Sequence, residues 1–229
     1  ETGHVFSMLT ELSAVSRGAL DAALPLCRQQ GLALVAFSVT GRGLLTGKIG
    51  PHHTFAQEDI RCMDPLFQRE RLASGLRIAQ RLRQLGQKLD KTPVQVAIAW
   101  VLAQPGVTCA LTGPSTVAHL EENLGGSGWA MDEADLASLE RFFADEDACL
   151  RREQVAGLRA ILMGEGDSQE LFVDLVYVLE TLVELGLAPE ERILPAFQRL
   201  WALRHQPNAA ALAGIRAELR DAFLASLAG

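Results

Sequence analysis

The chain has 229 residues, 48% of them hydrophobic and 21% charged, with a net charge of −7. That length serves one large domain or two smaller ones, and the acidic balance offers no basic face to a nucleic-acid backbone. No segment approaches the roughly 20 uninterrupted apolar residues that cross a bilayer, and no basic stretch followed by an apolar run marks a signal peptide.

Residues 4–9, beginning at His4, suit a short strand. Leu20, Ala23, Leu24 and Cys27 recur at helical spacing from Ser16 to Gln30, with Ser16 as an expected N-cap and Gly31 as the stop. The apolar run over 32–39 reads as a second strand. Strand, helix and strand with short joints form a unit of a parallel sheet with a right-handed connection. Residues 49–67 are irregular and hold the adjacent His52 and His53. Adjacent histidines lack the spacing that converges metal ligands, so no metal site is expected there.

Helical patterning returns from about Gln68 to Leu89. Thr92-Pro93 then reads as an N-cap with proline at the first helical position, opening a helix through Val101. Val107–Thr112 is a third strand, Gly113-Pro114-Ser115-Thr116 a turn, and Val117–Leu124 a helix. A further helix is expected over Met131–Phe143, with Asp132 and Asp135 at its positive N-terminal end.

From Leu150 onward no strand pattern occurs. Helical runs are separated by Gly164–Asp167, Gly186–Pro189 and Gln206–Asn208, with starts expected near Ser168, Pro189 and Asn208. Leu171, Leu175, Val178, Leu179, Leu182 and Leu185 form an apolar stripe. Three or four helices packed as a bundle are expected, giving two domains, 1–147 and 148–229. Tyr177 reads as core or interface, and Phe197 and Trp201, four apart, as helix-packing residues. Cys27, Cys62, Cys109 and Cys149 lie far apart without a C-x-x-C pair, which fits free thiols in a reducing cytoplasm.

Two strand-to-helix junctions carry chemistry. The strand ending at Phe37 leads into Ser38, then Gly41-Arg42-Gly43, Leu44, Gly47 and Lys48, a glycine loop that lets backbone approach a phosphate. The helix after Gly113 presents free N–H groups and a positive dipole end, with the Ser115 and Thr116 hydroxyls beside it.

Together these segments, with Arg61, Pro65, Phe67, the run Lys91–Leu102 and the pair Glu122-Asn123, resemble the C-terminal half of the aldo-keto reductase family. The resemblance covers about residues 4–147. It implies an α/β fold, a partial (β/α)₈ TIM barrel of about three C-terminal strands with their helices, followed by the all-helical module. It also implies an NADP(H)-dependent oxidoreductase acting on a small carbonyl substrate. By position, Phe37 stands where an aromatic stacks on the nicotinamide, and Ser38, Gly41, Gly43 and Leu44 match the loop around the pyrophosphate. Gly113, Pro114, Ser115 and Thr116 match the turn around the 2′-phosphate, and His119, Glu122 and Asn123 match positions near the adenine.

The departures from the family pattern bear on function. Ser115 and Thr116 stand where members often hold arginine, so NAD(H) becomes an alternative cofactor. Phe37 lacks the usual tyrosine hydroxyl, and Val39-Thr40 replaces Pro-Leu. The family's tyrosine, lysine, aspartate and histidine lie on the first half of its barrel, so no catalytic residue is assigned here. Glu1 in place of an initiator methionine fits an incomplete reading frame, and the chain is expected to be truncated and inactive alone. Three strands with helices on one side leave the other face bare. Either upstream strands cover it or another surface does, including the half-barrel of a second copy. The alternative function is a non-catalytic half-barrel that binds nucleotide or serves as a scaffold, with 148–229 binding a partner or a second copy. Neither nucleic acid nor membrane is an expected partner.

Overall fold

The structure, a computed structural model, describes residues 5–56, 58–62, 64–164 and 171–228. Among these the chain divides into two compact units, 1–147 and 148–229.

The first unit is built on three parallel strands, β1 (Ser7–Glu11), β2 (Ala33–Phe37) and β3 (Val107–Ala110), in the spatial order β1-β2-β3. Met8 pairs with Leu34 and Thr10 with Ala36, while Leu34 pairs with Val107 and Ala36 with Ala110. Helices α1 (Ala23–Gln30), α2 (Arg69–Leu89), α3 (Pro93–Leu102), α4 (Val117–Leu124) and α5 (Glu133–Met163) complete the order; the division between the units falls inside α5.

Strand alternation decides which face of the sheet is packed. Leu34 and Ala36 are fully buried in the main core, together with Ile78 and Leu82 of α2, Trp100 of α3 and Phe143 of α5. Leu9, Val35 and Phe37 point the other way in register. Leu9 is 59% and Phe37 37% exposed, and none of the three belongs to the core cluster. This is the bare face expected of a parallel sheet covered on one side only. Trp100 anchors the packed side: its Nε1 donates to Glu140 Oε1 at 2.8 Å and its ring meets Phe143 edge-to-face at 5.2 Å.

Local chemistry explains the helix bounds. Gly31 closes α1. In α3 the Thr92 hydroxyl accepts from the Gln95 N–H while the Gln95 side chain accepts from the Thr92 N–H, a reciprocal cap with Pro93 in the first turn. The amphipathic face of α2 buries Ile78, Ala79, Leu82 and Leu85.

Four expectations need correction. The helix expected from Ser16 begins at Ala23, because Ser16 exchanges backbone hydrogen bonds with Ser13 and a short 3₁₀ turn at Gly18–Leu20 follows. The first strand runs Ser7–Glu11, starting three and ending two residues later than expected, and His4 lies outside the described residues. The third strand stops at Ala110: Leu111 still donates to Ala36 O, but Pro114 beyond it has no N–H. The helix expected to end at Phe143 continues to Met163, since no glycine or proline stands between Glu133 and Ala156.

In the second unit α6 (Leu171–Glu184), α7 (Glu190–Ala202) and α8 (Ala209–Ala228) contact one another. Their core holds Leu175, Val178, Leu182, Ala196, Leu200 and Phe223, with Tyr177 buried among them. Pro189 stands at the N-cap of α7, and Asn208 Oδ1 accepts from Ala211 N at the start of α8. The start expected at Ser168 lies outside the described residues. Phe197 and Trp201, expected as helix-packing residues, stack on each other at 6.0 Å and are 40% and 49% exposed. No helix is long and apolar enough to cross a membrane among the described residues.

Candidate cofactor cleft

The loop leaving β2 is a chain of tight turns. Gly41 N donates to Ser38 O at 2.8 Å, Leu44 N to Gly41 O at 2.9 Å and Leu45 N to Thr40 O at 3.1 Å. Ser38, Gly41, Arg42 and Gly43 all take left-handed backbone, with φ of 58°, 57°, 52° and 94°. Glycine adopts this region freely, whereas each L side chain there costs roughly 1 kcal/mol or more. Surrounding contacts hold the two strained residues' loop in place. Arg42 pairs with Glu11 Oε2 and with Asp64 Oδ2, each at 3.0 Å. Leu44 and Leu45 are fully buried, and a Cβ at Gly41 would lie 2.9 Å from Val15 Cγ2.

The facing wall comes from the turn after β3. Thr116 caps α4, its hydroxyl accepting from His119 N at 3.2 Å, and Ser115 Oγ lies 3.3 Å from His119 Nδ1. Gly113 has open space where a Cβ would stand. Gln95 Nε2 donates to Glu122 O at 3.0 Å, which ties the far end of α4 to the cap of α3.

Between these walls lies a cleft of about 640 Å³, within the usual range for ligand sites. Ser38 and Gly43 line one side, and Gly113, Pro114, Ser115, His119, Glu122 and Asn123 the other. Four expected residues stand elsewhere. Phe37 ends β2 half-exposed beside the cleft, Gly41 packs on Val15, Leu44 is buried against Ile49 and Phe67, and the Thr116 hydroxyl is used as a helix cap.

The cleft also holds residues that the sequence reading left unassigned. Arg42, Lys48 and Arg61 bring three cations to it. Arg61 pairs with Asp59 at 2.6 Å, donates to Arg42 O at 3.3 Å and lies 4.5 Å over the Phe55 ring. The Arg61 side-chain hydrogen bond, then its backbone N–H, lowers Asp59 from 3.8 to about 2. Lys48 Nζ pairs with Glu122 Oε2 at 3.2 Å. The clustered cations, the glycine turns and the unfilled space at Gly113 fit a dinucleotide carrying phosphates. His53 lines the cleft, but no metal-ligating cluster forms among the described residues.

Residues 7–143 match the model of the aldo/keto reductase family. The chain is 32% identical over 150 residues to aldo-keto reductase str7 of Strobilurus tenacellus, covering 66% of this chain and 43% of that protein. It is 28% identical over 148 residues to aldo-keto reductase yakc [NADP(+)] of Schizosaccharomyces pombe, covering 65% and 41%. Among solved structures, the glycerol dehydrogenase of Gluconobacter oxydans aligns at 25% identity with a TM-score of 0.53, over 61% of this chain and 42% of that one. The chain thus spans about two fifths of the length of these relatives. The chain belongs to the aldo/keto reductase family.

Proposed function

We propose that residues 7–143 are the cofactor-binding part of an NADP(H)-dependent carbonyl/alcohol oxidoreductase whose catalytic groups come from barrel strands outside this chain. The observation that carries this reading is the cleft joining the Ser38–Lys48 loop to the Gly113–Asn123 turn at the ends of parallel strands, where barrel enzymes place their sites. The name of one relative carries NADP(+).

NADP(H), when bound, supplies or accepts the hydride. The chain's own residues bind and orient it. The backbone of Ser38–Gly43, with Arg42 and Arg61, holds the pyrophosphate charge; Ser115 and the N-terminus of α4 hold the 2′-phosphate; His119, Glu122 and Asn123 flank the adenine. Phe37 presents its ring to the nicotinamide. Ser115 donates hydrogen bonds without charge, so discrimination against NAD(H) is modest.

The only tyrosine, Tyr177, is buried in the second unit, so the proton donor for carbonyl reduction comes from elsewhere. The bare face carrying Leu9, Val35 and Phe37 is where the remaining strands pack. The helices of 148–229 form a bundle serving assembly, with Leu194, Phe197 and Trp201 exposed along α7. An NADPH-oxidation assay with broad aldehyde substrates tests the division of labour. The chain alone gives no turnover; turnover above background contradicts the reading.

A further inference from the structure

A second cleft, of about 660 Å³, lies between the 47–51 loop, α2 and Phe142 of α5. Lys48, Arg77, Arg81 and Arg83 line it, and among the described residues no acidic side chain does. Four cations without a lining carboxylate are unusual in a chain of net charge −7, because they repel one another where an anion would relieve them.

Their partners separate the four. Arg77 is held by Glu146 through three hydrogen bonds, at 2.9, 3.1 and 2.6 Å, and Lys48 by Glu122. Among the described residues Arg83 donates only to the Gly47 carbonyl, at 2.6 Å. Arg81 donates through one terminal nitrogen to Ser138 Oγ at 2.7 Å, and its guanidinium lies 6.0 Å over the Phe142 ring. Its Nε is buried and has no hydrogen-bond partner among the described residues. A buried guanidinium N–H without an acceptor is costly, and the single bond to Ser138 leaves the rest of the Arg81 donor fork unused. Two arginines without a carboxylate partner among the described residues match a dianion, which their planar donor forks grip best.

We propose that this cleft is an anion site, separate from the cofactor cleft, that takes the phosphate group of a small ligand through Arg81 and Arg83. Arg81 and Arg83 line only the second cleft and Arg61 only the first, so variants tell the two apart.

The test is calorimetric titration of the full chain with inorganic pyrophosphate. Binding is expected that Arg83→Gln and Arg81→Gln weaken about tenfold or more and that Arg61→Gln, which removes a pyrophosphate cation from the cofactor cleft, retains. Circular dichroism checks that each variant is folded. If Arg81→Gln fails to fold, Arg83→Gln decides alone, since Arg83 is exposed and its loss removes one bond to a carbonyl. No heat at millimolar pyrophosphate overturns the proposal. So does binding that Arg61→Gln abolishes and Arg83→Gln leaves intact.

Discussion

Lys48 and Glu122 form an ion pair, Nζ to Oε2 at 3.2 Å, that links the loop leaving β2 to α4 across the cofactor cleft. With Lys48 58% exposed, such a pair contributes under about 1 kcal/mol to stability. In the proposed function its larger effect is electrostatic, because both groups line the cleft assigned to the anionic cofactor. Lys48→Gln is expected to leave the melting temperature nearly unchanged and to weaken NADP(H) binding about three- to tenfold. Fluorescence titration at low and high salt checks this: the difference between wild type and variant shrinks as salt rises.

In the proposed function, the Ser115 position sets cofactor choice. Its hydroxyl lies near His119 Nδ1 and faces a cleft at the N-terminus of α4. Ser115→Arg adds a charge-assisted bond to the 2′-phosphate, so NADPH affinity rises relative to NADH by about tenfold. Competition between the two nucleotides measures the ratio. An unchanged ratio would remove Ser115 from the 2′-phosphate site.

The glycine loop depends on α2 for its shape. A Cβ at Gly75 would lie 2.4 Å from Leu44 Cδ2, and Leu44 is fully buried beneath the loop. Gly75→Ala gains helix propensity in α2 yet forces Leu44 aside, and overpacking of this kind costs about 1–3 kcal/mol. Denaturant unfolding should register that loss, and NADP(H) affinity should fall with it.

Asp59 gives the loop beside the cleft an acid limit. The Arg61 side chain and backbone N–H, helped by the charge of His53, lower its carboxyl from 3.8 to about 2. The folded value is depressed, so the stabilisation is complete above 3.8 and is lost as the pH falls toward 2. A carboxyl NMR titration should place the Asp59 midpoint near 2. Asp59→Asn should remove that part of the acid dependence.

Where local chemistry closes an element, the sequence reading placed it well. Thr92-Pro93 with Gln95 marks the start of α3, and Thr116 before Val117 marks that of α4, because a cap is a property of three or four adjacent residues. Ser16 misled because a serine hydroxyl suits a cap wherever a helix begins, and here the backbone bridge to Ser13 comes first. Arg42 and Arg61 escaped assignment for a different reason. Their roles rest on Glu11, Asp59, Asp64 and Phe55, which only the folded loop brings together. The bare face was legible from strand count, since three parallel strands covered on one side leave Leu9 and Phe37 outward.

The most direct measurement is amide chemical-shift mapping of the isotopically labelled chain titrated with NADP⁺. The account predicts perturbations concentrated in Ser38–Lys48 and Gly113–Asn123, with weak affinity, because the cofactor gains contacts from both halves of a complete barrel. Perturbations confined to other segments, or submicromolar binding by this chain alone, would contradict it.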